Sequence, residues 1–237
     1  MVGRSKIQLE PAFGEAATGE ARNGLGGGTE TIAANAAVQS PAAFAEPCME
    51  AIVERVNLRK ALAQVKRDKG APGIDGMSVE ALSAQLKDHW PAVRAQLLDG
   101  SYRPQPVKRV EIPKAAGGNR LRGIPTVLDR FIQQAVMQVL QAVWDGTFSA
   151  SSYGFRPKRS AHQAVRAAQE FIASGRRVVV DLDIEKFFDR VNHQRLIDRF
   201  GRKVADRRVV ELVRLMLKAK VVMRDGETIA VLEGTPP

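Results

Sequence analysis

Residues 178–193 read VVVDLDIEKFFDRVNH, and this stretch decides how the rest of the chain is interpreted. Side chains of an extended strand alternate between two faces, so the stretch has an apolar face and an acidic face, made of Val180, Leu182 and Ile184 and of Asp181 and Asp183. Aspartate is uncommon inside strands and costly to bury as a charge. The pattern predicts a strand with two carboxylates on one side, which a nearby cation, a salt bridge or a solvated edge would each explain.

The 237-residue chain has a formal net charge of +10 at pH 7. Residues 1–47 contain three basic and five acidic residues, so the positive charge belongs to the remainder. A basic balance favours a polyanionic partner such as nucleic acid, although solvated Lys and Arg faces would give the same composition. Charge alone does not distinguish a nucleic-acid-binding protein from one with solvated basic faces.

Cys48 is the only cysteine, and no Cys or His cluster has the spacing of metal ligands. No apolar run approaches the length of a membrane span, and the N-terminus lacks the apolar core of a signal peptide. We therefore expect a protein without a membrane anchor, located in the reducing cytoplasm.

The first part of the chain divides into a leader and helices. Residues 1–47 are rich in Gly, Ala, Thr and Glu and predict a disordered leader. Apolar residues at helical spacing predict a helix from about 49 to 69, followed by a Gly/Pro-rich loop at 70–76. Two short helices are expected next, over 79–86 with Ser78 as N-cap and over about 91–98.

Strands and helices alternate in the second part. A basic hairpin is expected from a strand over 107–112 and the glycine-bearing residues 113–125 that follow it. A core helix up to Trp144 comes next, with Thr126 and Asp129 spaced like a capping box. Further helices are expected after Ser160, with Gln163 completing a capping box, and after Asn192 and Asp206. A last hairpin is expected around the Asp225-Gly226 turn.

Four motifs occur in the order that group II intron reverse transcriptases have, and the chain resembles that family across nearly everything after residue 50. The family's N-terminal extension motif resembles GAPGIDG at 70–76, and its first fingers motif resembles IPK at 112–114 with Gly118, Arg120 and GIPT at 123–126. The second fingers motif resembles SYGFRP at 152–157, and the first palm motif resembles DIEKFFDRVNH at 183–193.

This resemblance implies the fingers and a partial palm of a right-hand polymerase, of α+β class, with helices and antiparallel strands. The implied division is a leader at 1–47, N-terminal extension helices and an RNA-contacting loop at 48–100, fingers at 101–175 and a partial palm at 176–237. The implied activity is RNA-directed DNA synthesis by two-metal nucleotidyl transfer. The implied partners are an RNA template, a DNA primer, deoxynucleotides and intron RNA, while the oligomeric state is left open.

The resemblance assigns the first catalytic carboxylate, a ligand of Mg²⁺, to Asp183, with the backbone carbonyl of Ile184 as a second ligand. Asp181 is the rival for this carboxylate. Phe188, five positions after Asp183, would exclude a ribose 2′-hydroxyl and so select deoxynucleotides. By spacing alone, a core aromatic explains Phe188 equally well.

The resemblance also implies residues that bind the incoming nucleotide and RNA. Lys114 and Arg120 match cations that contact the triphosphate, and the backbone N–H groups of Lys186 and Phe187 would face its phosphates. Arg156, Lys69 and Gly73 are placed near template or intron RNA, whereas Asp75 and Asp189 are assigned structural roles.

The end of the chain departs from the family pattern. Gly234-Thr235-Pro236 resembles the start of the next motif, which the family continues with Gln-Gly-Gly-Pro, but Pro237 stands at the Gln position. The Tyr-Ala-Asp-Asp motif is absent, so we expect a truncated polymerase that is inactive alone. An RNA-binding fragment, a non-functional pseudogene product and a retron-type reverse transcriptase are the alternatives.

Overall fold

The computed structural model describes residues 46–113 and 117–235. The predicted leader lies outside these ranges except for its last two residues, and so does Lys114. The elements are α1 (Met49–Ile52), α2 (Arg55–Asp68), α3 (Leu82–Asp99), β1 (Val107–Pro113), β2 (Asn119–Ile124), α4 (Val127–Trp144), α5 (Ala161–Ala173), α6 (His193–Gly201), α7 (Arg207–Leu217), β3 (Val221–Val222) and β4 (Thr228–Ile229). Single 3₁₀ turns cover Asp145–Thr147 and Phe188–Arg190. The α+β class is confirmed.

The helix predicted over 49–69 is two helices, α1 and α2, with a break at Val53 and Glu54. The Glu54 carboxylate caps α2 by accepting hydrogen bonds from the backbone N–H groups of Val56 and Asn57, at 2.6 and 3.0 Å. The Asn57 side-chain amide donates to the carbonyl oxygens of Ile52 and Ala135. The corner is therefore fixed to both α1 and α4 by side chains that the apolar spacing did not reveal.

The two short helices predicted over 79–98 are one helix, α3, with Pro91 in its interior. Proline cannot donate the hydrogen bond that the carbonyl of Lys87 would receive. Both residues are exposed, so water can satisfy that carbonyl. The buried side chains of Leu82 and Leu97 hold the two ends of α3 in the core, and this tertiary packing overrides the local cost of proline.

The main hydrophobic core is built around α4. Its buried side chains are Val127, Phe131, Ile132, Ala135 and Val136, and they pack with Ala61 and Val65 of α2, Leu82 and Leu97 of α3, and Val209 and Leu212 of α7. The Phe131 ring meets the edge of Trp90 at 5.7 Å between centroids. The apolar face of α4 is therefore part of the core, as the spacing of its apolar residues predicted.

A buried carboxylate lies at the start of α4. Thr126 caps the helix by accepting from the Asp129 N–H, and Asp129 in turn accepts from the hydroxyls of Thr126 and Tyr102, at 2.7 and 2.8 Å, and from the Gln105 N–H at 3.0 Å. Burial raises the pKa of Asp129, and these hydrogen bonds only partly oppose that shift. This network ties the segment before β1 to the N-terminus of α4.

The four strands form one small sheet in the order β2-β1-β3-β4. The predicted basic hairpin is present, with β1 and β2 antiparallel and Ile112 opposite Arg120. The hairpin predicted around Asp225-Gly226 is also present, as β3 and β4. However, β3 runs parallel to β1, so the sheet is mixed and contains one parallel pair besides the two antiparallel ones.

One expectation about residues 160–184 is wrong, and another is confirmed. The capping box of Ser160 and Gln163 forms and α5 begins where predicted, but none of the α5 side chains is buried. Residues 178–184 are not a strand, and in the described ranges no strand pairs with them. A strand needs a neighbour that satisfies its backbone N–H and C=O groups, and an alternating sequence does not supply one.

None of the helices in the described ranges is both long enough and apolar enough to cross a membrane.

Candidate active site

The two aspartates singled out by the sequence lie on an exposed, extended segment. Val180, Leu182 and Ile184 are 69–88% exposed, and Asp181 and Asp183 are exposed as well. Neither carboxylate makes a hydrogen bond or ion pair to another described residue. Throughout 46–113 and 117–235, no group of three His, Cys, Asp or Glu side chains could hold a metal ion. The described residues thus offer single carboxylates and do not fit a complete Mg²⁺ site by themselves.

A tight turn follows this segment. Lys186 has a positive φ of 50°, and its carbonyl oxygen accepts from the N–H groups of Asp189 and Arg190, at 3.0 and 3.1 Å. The N–H groups of Lys186 and Phe187 donate to no acceptor in the described part of the chain. The rings of Phe187 and Phe188 meet edge to face, with centroids 5.2 Å apart. Phe188 is 66% exposed, so it is not a core aromatic in this structure.

The segment near residue 234 returns to this turn. The N–H of Gly234 donates to the carbonyl of Val191 and that of Thr235 to the carbonyl of Phe188, both at 2.8 Å. Gly234 has a φ of 79°, and a Cβ there would lie 2.7 Å from the carbonyl oxygen of Asp189. Glycine is therefore required at this position. The structure brings together two motifs that are more than forty residues apart in the sequence.

His193 holds the same contact from the first turn of α6. This side chain is buried, and its Nε2 lies 2.5 Å from the carbonyl oxygen of Gly234. Because a carbonyl only accepts, Nε2 is the protonated nitrogen and donates the hydrogen bond. No role for His193 was predicted from the sequence. Its place directly after the N-cap Asn192, in a motif otherwise assigned to chemistry, was the available signal.

Arg120 lies on the exposed part of β2, one residue beyond the described start of that strand. It is opposite Ile112, and no hydrogen bond or ion pair joins it to the Asp183 segment in the described ranges. Lys114, its predicted companion, lies outside them. The predicted triphosphate contacts of both cations stay predictions.

Arg156 is the centre of a loop that covers residues 145–156. Its Nε donates to Asp145 Oδ1 at 2.9 Å, and its terminal nitrogens donate to the carbonyl oxygens of Asp145, Ser149 and Ser152. The ion pair lowers the pKa of Asp145 and raises that of Arg156. All three guanidinium nitrogens are engaged within the protein, so the described contacts of Arg156 are structural, and its template contact stays a prediction.

Lys69 and Gly73 lie on the loop that joins α2 to α3. Lys69 ends α2 in the left-handed conformation, with its side chain exposed. A Cβ on Gly73 would lie 2.6 Å from the Cα of Thr126, so the loop backbone packs directly on the start of α4. Arg130 fastens the loop by donating to the Ala71 carbonyl at 2.7 Å. The glycine is explained by this close packing, while the RNA contact of either residue stays a prediction.

Comparisons with known proteins identify the family. The model of the family described as "Reverse transcriptase (RNA-dependent DNA polymerase)" matches residues 112–236, just over half of the chain. Protein YkfC of Escherichia coli K12 is 38% identical over 157 residues, which cover 64% of this chain and 41% of YkfC. The group II intron-encoded protein LtrA of Lactococcus lactis subsp. cremoris is 40% identical over 148 residues, covering 61% of this chain and 23% of LtrA.

The fold is also similar to a solved structure, a partial Cas6-RT-Cas1--Cas2 complex. That likeness has a TM-score of 0.52 and 23% identity, and covers 79% of this chain and 31% of the solved chain. The chain spans less than half the length of the curated relatives named above. On the family match and the relatives together, the chain belongs to the reverse transcriptase (RNA-dependent DNA polymerase) family and is homologous to group II intron-encoded proteins.

Proposed function

We propose that this chain supplies the fingers and the first part of the palm of a group II intron-type RNA-directed DNA polymerase. The observation that carries the proposal is the contact of Gly234 and Thr235 with the turn at Phe188–Val191. It joins two motifs of the family next to the segment that bears Asp183. Membership of the reverse transcriptase family supports the reaction class.

Asp183 is the proposed catalytic carboxylate. Reverse transcriptases use divalent metal ions, and carboxylate and carbonyl oxygens are the ligands that Mg²⁺ prefers. Asp183 and the carbonyl of Ile184 would contribute two such oxygens. Since the described residues gather no cluster of three metal-binding side chains, the remaining ligands would have to come from outside them. We propose that the chain does not polymerise alone, because the Tyr-Ala-Asp-Asp motif, which would supply further carboxylates in this family, does not occur in its sequence.

The turn after Asp183 is the proposed nucleotide site. Lys186 and Phe187 have N–H groups without an internal acceptor in the described ranges, and such groups can bind phosphate oxygens. The backbone of Phe188 accepts a hydrogen bond from the Thr235 N–H, which supports the proposal that its exposed ring would exclude a 2′-hydroxyl. Lys114 would bind the triphosphate through its compact ammonium charge. Arg120 would bind it through the parallel N–H donors of its planar guanidinium.

Primer extension on an RNA template with Mg²⁺ and deoxynucleotides tests this proposal. The chain would be compared alone and fused to the part of a group II intron-encoded relative that follows the matched region. We expect extension by the fusion only, and loss of more than about a hundredfold in rate with Asp183→Ala, because a metal-binding carboxylate is removed.

Asp181→Ala is the matched control, since Asp181 is equally exposed and lies two residues away on the same segment. We expect it to retain most of the activity. If Asp181→Ala abolishes extension while Asp183→Ala does not, the assignment of the two aspartates is reversed. A folded but inactive fusion would count against the polymerase proposal itself.

RNA binding without polymerisation is a second candidate, and the surface of α2 favours it. Its exposed cations are Arg55, Arg59, Lys60, Lys66, Arg67 and the C-cap Lys69, against the single exposed acid Asp68 within the helix. Such a face binds phosphate backbone without reading sequence. Intron RNA, in a ribonucleoprotein particle, is the proposed ligand.

A further inference from the structure

The outer face of α6 carries a row of arginines. The helix buries His193 and Ile197 on one side. At about 100° per residue, Arg195, Arg199 and Arg202 all project within about 40° of the opposite direction. All three are exposed, and Arg202 is the C-cap residue that continues the helical backbone. We call these three residues the α6 arginine row.

The α6 arginine row has no acidic partner among the described residues. The ion pairs there involve Arg156, Arg208 and Arg214, and none involves the row. Asp198, the only acidic residue of α6, accepts a hydrogen bond from Gln194 at 2.7 Å instead. A solvated helix face ordinarily intersperses both signs of charge. Asp198 is exposed and lies beside the row, about 60° from the outward direction, so the outer face carries three arginines and one carboxylate. This excess of positive charge favours an anionic partner.

The row is also placed on a rigid support next to the candidate active site. The α6 helix begins three residues after the Phe188–Arg190 turn, and His193 in its first turn bonds the Gly234 carbonyl. At its other end, Phe200 stacks on Trp144 of α4 with centroids 5.4 Å apart. Both contacts fix the helix, so the arginines present their charges at a defined distance from the turn.

The spacing of the row suits a chain of phosphates. Residues four apart on a helix rise by about 6 Å, which separates Arg195 from Arg199 and lets each guanidinium meet a different phosphate. Arginine binds phosphate oxygens through two parallel N–H donors, and its charge is retained at any physiological pH. A contact of this kind is independent of base sequence and weakens with salt.

We propose that Arg195, Arg199 and Arg202 bind the phosphate backbone of an RNA strand that extends from the candidate active site. This inference rests on the proposed function, because it takes RNA to be the substrate. It concerns residues other than Lys114, Arg120 and the cations of α2.

Fluorescence anisotropy with a labelled single-stranded RNA of mixed sequence tests the row in the full 237-residue chain. The variant is Arg195→Gln/Arg199→Gln/Arg202→Gln. The matched control, Lys87→Gln/Arg94→Gln/Arg224→Gln, removes the same charge from exposed positions on α3 and the β3–β4 turn. Circular dichroism and thermal unfolding establish that both variants keep the fold.

We expect the row variant to bind RNA at least about tenfold more weakly near 0.1 M salt. Its plot of log affinity against log salt should be shallower by about 2, since each lost phosphate contact on a single strand removes about 0.7. The control should change affinity by less than about threefold. Equal losses in the two variants, or unchanged affinity in the row variant, would overturn the proposal; unchanged affinity would point to an acidic protein as the partner.

Primer extension by the fusion enzyme separates this inference from the proposed function. If the fusion extends primers while the row variant binds RNA like wild type, the row proposal fails and the polymerase proposal stands. If the fusion is inactive but RNA affinity depends on the row, the polymerase proposal fails and the RNA contact stands.

Discussion

Helix α4 and the segment at 178–184 contain the same kinds of apolar side chain, yet one is core and the other is exposed. Phe131 of α4 is 2% exposed, whereas Leu182 is 88% exposed. The difference lies in their neighbours. Helix α4 has α2 and other helices against it, while in the described ranges no strand pairs with 178–184. An apolar pattern tells which face can be buried, and the presence of a complementary surface decides whether it is.

Helices α4 and α5 sharpen the same contrast. Helix α5 has a complete capping box, and α4 has only the Thr126 half of one. Both form, but only α4 buries side chains. Local hydrogen bonding is therefore enough to start a helix at the expected residue, and burial depends on tertiary partners.

The largest difference in stability is expected when one phenylalanine ring is removed from the core and one from the exposed region. Phe131→Ala should lower the free energy of unfolding by about 3–5 kcal/mol, because it leaves a cavity in a close-packed core. Phe188→Ala should change it by less than about 0.5 kcal/mol, because the ring is mostly exposed. Urea denaturation of the isolated chain measures both. Similar losses would show that the 178–190 region is packed as firmly as the core.

Asp129 and Asp183 offer the corresponding test for carboxylates. Asp129→Asn should lower the free energy of unfolding by about 1–3 kcal/mol at acidic pH, because the amide has two N–H donors where the protonated carboxyl has one O–H, and the buried site offers few acceptors for them. Asp183→Asn is the exposed control and should change it by less than about 0.5 kcal/mol.

The difference in stability between wild type and Asp129→Asn should also depend on pH in a definite direction. Burial raises the pKa of Asp129 in the folded state, so its protonated form stabilises the fold fully below the unfolded pKa of about 3.9. That stability is lost as the pH rises through the folded pKa. The difference between wild type and Asp129→Asn should therefore shrink from acidic to neutral pH in urea titrations. A difference that grows with pH would contradict the raised pKa.

Gly234 tests the contact between its own segment and the turn at Phe188–Val191. Gly234→Ala should destabilise by about 1–3 kcal/mol, because it combines a positive φ with a clash against the Asp189 carbonyl. Gly226→Ala is the matched control, with a φ of 88° and no atom near a Cβ. It should have only the backbone cost, about 1–2 kcal/mol.

Amide hydrogen exchange distinguishes the two glycine variants further. The Thr235 N–H, bonded to the Phe188 carbonyl, should lose protection in Gly234→Ala and keep it in Gly226→Ala. Retained protection in both variants would mean that the contact tolerates a side chain at residue 234.

The smallest expected effect comes from Leu182→Ser. It should leave the free energy of unfolding within about 0.5 kcal/mol of wild type, because the side chain is already in water. It should also reduce self-association seen by light scattering, since exposed apolar surface and unpaired backbone favour association. Leu97→Ser, in the core, should destabilise strongly. A large loss of stability with Leu182→Ser would mean that residues 178–184 pack against the fold.

Some features of the candidate site could be predicted from the sequence, and others could not. The order of the motifs led to the reverse transcriptase family, because this order depends on residue type and local spacing. The roles of His193 and Arg156 were not accessible in this way. One bonds a carbonyl 41 positions later, and the other is enclosed by carbonyl groups of a loop, so neither contact follows from a periodic pattern.

The sequence by itself determined where α4, α5, α6 and α7 begin, because Thr126, Ser160, Asn192 and Asp206 satisfy backbone N–H groups within three residues. It also determined the two hairpins, which depend on local turns. Only the tertiary structure decided that α3 continues through Pro91, that β3 runs parallel to β1 and that 178–184 is not a strand. Each of these outcomes depends on packing or backbone pairing between segments distant in sequence, and such interactions leave no local pattern.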